Sequence, residues 1–328
     1  MITPEEADKV LEEQLRKATV ATDEAGLAAV ETGLLLEESR TAQRLSRSPD
    51  ALVMRRAMAR PEYLIPSERD QPGYPRSFVV LYRSEEKKQT ERTERTAGLY
   101  YFLQAEAGCP WKAAAKTWAI DKPAVDFQSG EFDDHFYGNF HFEVRDKPIA
   151  AVVRDASGAV ALSPTAAEDR SVCGRFAQYL SFTAPDGKPE SEHFVPGKLT
   201  GEVVAYYNSE EGKSYDGRVT RSYAFESAGT ELPVLRLADG KSLVTCSLVR
   251  KDHWEGTKGA WIFSHGNKDT SNETKNRLMG GGNRKWLSTD VRNSVTATIE
   301  VPAQGPADVV ACNCLNPPVL SAEGTPDE

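Results

Sequence analysis

The feature that most limits what this chain can become is the order of its two hydrophobic periodicities. Helical spacing comes first, alternating strand spacing follows, and the same order then occurs again. Single helices alternating with strands would call for a parallel sheet. Helices grouped ahead of a run of strands call instead for an α+β fold with antiparallel pairing.

In the first run, Thr3 is a suitable N-cap, Pro4 suits the first helical position, and Glu6 completes a capping box. Val10, Leu11, Leu15 and Ala18 then recur at helical spacing to about residue 20. A second helical stretch covers residues 24–33, with Gly33 as its stop, and a third runs from Leu34 to Leu45. Strands are expected at 51–65, carrying Arg55, Arg56 and Arg60, and at 76–83, 98–105 and 111–120. Residues 84–95 alternate in charge sign and read as a solvated hairpin tip.

The second run opens with a helix over 164–182, with Ser163 as N-cap and Val172, Phe176, Tyr179 and Leu180 as its apolar face. Residues 198–208 fit a helix or a strand. Strands follow at 217–225, 232–237, 242–254, 294–301 and 307–312, with Asp239-Gly240 as a two-residue turn between the second and third. The repetition implies a duplicated α+β unit, 1–150 and 151–328, divided near 148–163 where Asp155-Ala156-Ser157-Gly158 breaks the apolar pattern. Residues 127–145 and 256–286 read as long loops, and the C-terminus as a flexible tail.

Composition excludes some partners. Lys and Arg number 40 against 49 Asp and Glu, a net charge of −9, which lacks the basic field a nucleic-acid binder needs. No apolar run approaches the roughly 20 residues that span a bilayer. The N-terminal residues carry no secretion signal, which by itself favours a cytoplasmic chain.

Five cysteines, at 109, 173, 246, 312 and 314, allow at most two intramolecular disulfides and leave one thiol over. Cys312 and Cys314 would share a strand face, so one of them could reach Cys246 on a neighbouring strand. Two readings stay open: a Cys246–Cys312 (or Cys314) bridge, and buried free thiols acting as small hydrophobes.

Helices laid into a curved antiparallel sheet resemble the nuclear transport factor 2-like, or cystatin-like, cone. The stretches Ala25-Gly26-Leu27-Ala28-Ala29-Val30-Glu31-Thr32-Gly33, Tyr74-Pro75-Arg76-Ser77-Phe78 and Leu237-Ala238-Asp239-Gly240-Lys241-Ser242-Leu243-Val244 resemble a domain of unknown function in actinobacterial secreted lipoproteins. The resemblance implies two tandem cones on the outer face of the cytoplasmic membrane, anchored by a lipidated cysteine upstream of Met1. This sequence shows no lipobox. Export would also permit the Cys246 bridge, because disulfides persist in oxidising compartments.

Cone folds hold ligands at an open end lined by aromatic residues. Tyr100, Phe102 and Trp118 in the first unit, and Tyr223, Phe225 and Trp254 in the second, stand where one strand face lines such a cavity. Core packing is the plainer account of all six.

Other chemistry is sparse. His135 and His141, with Asp133 and Asp134, lack metal-ligand spacing; His253 and His265 have no accompanying nucleophile signature. Gly280-Gly281-Gly282 lacks the ending and context of a phosphate-binding loop. No cofactor motif and no inward-facing Asp–His pair are found. The expectation is a non-enzymatic cell-envelope binding or scaffolding protein with an unidentified protein partner. The alternatives are a small-ligand-binding or hydrolytic cone, or an assembly block of a membrane-associated secretion or conjugation machine.

Overall fold

A computed structural model describes residues 2–21, 23–45, 61–87, 93–122, 143–145, 147–214, 218–257, 262–263, 270–281 and 284–327. Three helices lead: α1 (Pro4–Val20), α2 (Glu24–Ala28) and α3 (Gly33–Arg44). The capping box starts α1 as its residues dictate. The Glu6 N–H donates to the Thr3 hydroxyl, and the Thr3 N–H donates to the Glu6 carboxylate. Gly33, expected to stop the second helix, instead opens α3, because α2 already ends at Ala28.

Four strands follow in an antiparallel sheet of order β1-β2-β3-β4: β1 (Glu62–Leu64), β2 (Arg76–Lys87), β3 (Thr93–Gln104) and β4 (Lys112–Lys122). The β2–β3 ladder runs from Arg76↔Gln104 to Lys87↔Thr93, so residues 84–87 and 93–95 of the charge-alternating stretch are paired at its outer end, and 88–92 lie outside the described residues. Within this hairpin Gly98 faces Tyr82. A Cβ at Gly98 would lie 2.0 Å from the Tyr82 ring, so the ring packs only because that side chain is missing. Arg55, Arg56 and Arg60 lie outside the described residues.

The second run comprises β5 (Glu143–Val144), α4 (Ala166–Tyr179), β6 (Phe182–Thr183), α5 (Gly201–Ser214), β7 (Val219–Ser227), β8 (Leu235–Arg236), β9 (Ser242–Gly256), β10 (Ile262–Phe263), α6 (Thr270–Leu278), β11 (Lys285–Val301), β12 (Asp308–Cys312) and β13 (Val319–Pro326). They build a nine-stranded antiparallel sheet of order β5-β12-β11-β9-β7-β6, with β10 and β13 paired to β11 and β8 to β9. The undecided stretch 198–208 lies largely in a helix, α5. Helix α4 starts later than Ser163 and Pro164 implied. The Ser163 hydroxyl accepts from the Thr165 N–H and donates to Asp169, which braces the turn before the helix. Asp239-Gly240 does turn β8 into β9, with the Leu237 N–H donating to the Lys241 carbonyl at 2.8 Å.

Two segments expected to be irregular contain regular elements among their described residues. The C-terminal tail is strand β13, registered on β11 from Trp286↔Pro326 to Asn293↔Val319. The 256–286 loop contains β10 and α6 among its described residues. Gly280 and Gly281 there end the helix. The Gly281 N–H donates to the Asn276 carbonyl and the Gly280 N–H to Arg277, with Gly280 at φ 96°. That left-handed exit is the Schellman arrangement, which a side chain at Gly280 would strain.

Side-chain alternation stacks these elements in four layers. On β2 and β3, Phe78, Val80, Tyr82, Tyr100 and Phe102 face α1 and α3, while Val79, Leu81, Leu99 and Tyr101 face the larger sheet. On the larger sheet, Leu243, Val310 and Ala311 face the smaller one, while Val244, Cys246, Leu248, Val295, Ala297 and Ile299 face α4 and α5. Hydroxyl pairs cross between the sheets, Tyr101 to Thr245 at 2.7 Å and Thr117 to Thr298 at 2.6 Å.

The segment expected to separate two units ties both sheets together. Val160 bridges Pro66, Val152 bridges Leu237, and Leu162 bridges Leu235. Just before it, β5 pairs with β12, and Arg145 ion-pairs with Glu300 and Asp308, each at 2.5 Å. No helix among the described residues is long and apolar enough to cross a membrane.

Candidate functional site

The concentration of buried polar groups that best fits a functional site lies between the nine-stranded sheet and helix α5. Strand β9 places Val244, Cys246 and Leu248 on its helix-facing side, and the same alternation carries Arg250, Asp252 and Trp254 onto that side. Strand β7 brings Arg221, Tyr223 and Phe225 to this face through the pairs Arg221↔Trp254, Tyr223↔Asp252 and Phe225↔Arg250. Strand β11 adds Asn293, and α5 lowers Tyr207 onto the group.

The Arg250 guanidinium, 3% exposed, organises the cluster. Its Nη2 donates to Asp252 Oδ2 at 2.9 Å, and its Nε lies 2.9 Å from Oδ1. Its Nη1 donates to the Tyr207 hydroxyl at 3.0 Å and to the Cys314 carbonyl at 2.8 Å. Tyr207 donates to that carbonyl as well, at 2.5 Å. Arg221 Nη2 lies 3.8 Å from Asp252, and its guanidinium stacks 4.0 Å from the Trp254 ring and 4.6 Å from Tyr223. Tyr223 in turn stacks on Tyr207 at 4.3 Å.

Burial works against the Arg250 charge, but Asp252 together with the Tyr207 and Tyr223 hydroxyls outweighs it and holds the guanidinium above its usual range. Burial also pushes the Tyr207 and Tyr223 hydroxyls up, so both stay protonated, and Tyr207 serves as a donor to the Cys314 carbonyl. The arrangement therefore fixes charge in place. A charged pair hydrogen-bonded to Tyr207 and to the Cys314 carbonyl, with Tyr223 stacked on Tyr207, orients α5 and the Cys314 backbone on the sheet.

The sequence-designated residues fall in two places. Tyr100 and Phe102 sit in the core beneath α1, with ring centroids 4.9 Å apart, and Phe102 stacks on Phe78 at 4.8 Å. Tyr223 and Phe225 lie in the core beneath α4 and α5, beside the polar cluster, and Trp254 caps Arg221. The Trp118 side chain, His135, His141 and His265 lie outside the described residues. His253 is on the opposite face of β9, its Nδ1 2.8 Å from Asp290 and its side chain 45% exposed.

Cys246 does not pair with Cys312. Ala297 on β11 is opposite Cys246 on one side and opposite Cys312 on the other. The two cysteines are thus two strand spacings apart, about 9–10 Å, beyond the roughly 7 Å that a disulfide tolerates between Cα atoms. Cys246 is bonded instead to Cys173, Cα–Cα 5.4 Å, which fastens α4 to β9. Cys312 is bonded to Cys314, Cα–Cα 5.2 Å, and Cys109 is the free thiol.

Sequence reasoning missed Arg250, Asp252, Asn293 and Tyr207. For the first two a signal existed, since counting by twos along 242–254 puts them in line with Cys246 and Leu248. Among the described residues no group of three or more His, Cys, Asp or Glu side chains is placed to hold a metal ion. No family model, curated protein or solved structure matches this chain significantly.

Proposed function

We propose that this chain is a non-enzymatic binding or scaffolding protein of the cell envelope, composed of two tandem cone-like units, each with its helices against one curved sheet. The observation that carries this reading is the state of the two helix-facing sheet surfaces. Tyr100, Phe102, Tyr223 and Phe225, where a cone protein would hold a ligand, are all buried against the chain's own helices. The ions beside them are engaged with one another. Recognition then falls to the outer surface, and a protein partner is the natural ligand for it.

Location at the outer face of the cytoplasmic membrane is supported by two disulfides in one chain, which persist where the surroundings are oxidising. The decisive experiment is recovery of the protein from its own cells after cell-surface cross-linking and thiol alkylation. The proposal expects the chain outside the membrane, with one alkylatable thiol and covalently joined to a protein neighbour. A cytosolic chain with five reactive thiols overturns the location. A hydrolytic activity of the purified chain that disappears in Asp252→Asn overturns the non-enzymatic reading in favour of a hydrolytic cone.

A further inference from the structure

A second buried polar group, unrelated to the cluster around Arg250, lies beneath α1 and the turn joining α2 to α3. Gln14 of α1 and Glu31 of the turn are each 3% exposed. The Gln14 amide Nε2 donates to Glu31 Oε1 at 3.2 Å. The other oxygen of each group, Gln14 Oε1 and Glu31 Oε2, has no hydrogen-bond donor among the described residues. An amide carbonyl and an ionised carboxylate both only accept, so these two oxygens cannot satisfy each other. One proton on Glu31 Oε2 turns that oxygen from an acceptor into a donor, and the Gln14 carbonyl, itself without a donor, is an acceptor on the residue Glu31 already bonds.

We propose that Glu31 is a neutral carboxylic acid paired with Gln14, and that its proton is a latch holding the α2–α3 turn against the edge of the four-stranded sheet. The turn is docked there by its backbone. The Ala113 N–H of β4 donates to the Val30 carbonyl and the Thr32 N–H donates to the Ala113 carbonyl, both at 2.8 Å. Immediately beyond, Leu34 packs on Val249 and Leu320 of the nine-stranded sheet, so the turn seats α3 where the two sheets meet.

The surrounding groups divide. Lys116 of β4 favours the ionised acid, as does the Ser39 hydroxyl of α3. Tyr100 of β3 lies within electrostatic reach of Glu31, of Glu38 on α3 and of Tyr82 on β2, and adds no positive charge. Burial outweighs Lys116 and Ser39 and raises Glu31 above the usual carboxylate range. A carboxyl that holds its proton more tightly when folded contributes most at low pH. Its contribution is lost as pH rises from the unfolded value through the raised folded one. The latch therefore closes in acid and opens in alkali.

The test is Glu31→Gln, whose amide donates in place of the acid proton and carries no charge at any pH. In the wild type, exchange protection of the Thr32 and Ala113 amides, corrected for base catalysis, should fall about tenfold per pH unit above the Glu31 midpoint. In Glu31→Gln it should stay flat. An infrared difference spectrum, wild type minus variant, recorded just above the ordinary carboxylate range should contain a protonated-carboxyl stretch. Identical exchange profiles, or a carboxylate band instead, overturn the latch. If the variant does not fold, the 13C titration of the Glu31 carboxyl in the wild type decides: a midpoint in the ordinary carboxylate range overturns it, and a raised one upholds it.

Discussion

Removing the Cys173–Cys246 bridge should be among the most damaging changes open to this protein. A cross-link stabilises chiefly by restricting the unfolded chain, and the restriction grows with the logarithm of the loop it closes. With a sequence separation of 73, the loop-closure relation gives about 4.4 kcal/mol at room temperature. The Cys312–Cys314 bridge has a separation of 2, and the same relation gives only about 1–2 kcal/mol. The double variants Cys173→Ala/Cys246→Ala and Cys312→Ala/Cys314→Ala should thus differ by about 3 kcal/mol when unfolded in urea. Both retain one disulfide and one free thiol, so the comparison is between loop lengths. Peptide mapping without reductant should recover 173 with 246. Equal destabilisation of the two variants, or recovery of 246 joined to 312, would refute the reasoning.

Arg250→Met should cost about 3–5 kcal/mol, because Asp252 is left charged in the core, and denaturant midpoints read it; a loss below about 1 kcal/mol contradicts the pairing. Gly98→Ala should cost about 1–3 kcal/mol through displacement of Tyr82, and clearly less in a Tyr82→Leu background; equal costs in the two backgrounds would show that the ring is not the obstacle. Arg145→Ala should cost about 2–3 kcal/mol and expose the 147–163 segment to limited proteolysis, since it removes the charged bonds to Glu300 and Asp308; an unchanged cleavage pattern speaks against that clasp.

What the sequence made legible follows the range of the interactions involved. The start of α1 was readable because Thr3 and Glu6 are three residues apart and satisfy each other's backbone. The Asp239-Gly240 turn was readable for the same reason. The tail was not, because Val319–Pro326 becomes a strand only on meeting β11, and nothing within eight residues announces that partner. The disulfides show the same limit. Face parity put Cys246 and Cys312 on compatible sides, but parity carries no information on how many strands separate two residues. The candidate site was half legible. Arg250 and Asp252 were in phase with the core residues of their strand, yet charged side chains so placed are normally assigned outward. Tyr207, on a stretch that read as either helix or strand, could not be given a facing direction at all.

The hydroxyl pairs that join Tyr101 to Thr245 and Thr117 to Thr298 have a bearing on how the molecule could be taken apart. They act as dowels: a sideways slip of one sheet over the other unseats both at once, so the stack has a single seating. They also leave threonines on the hidden side of each half. A half-molecule that exposed them would present water with hydroxyl groups among its aliphatic residues, and would be less sticky than a surface cut through a wholly greasy joint.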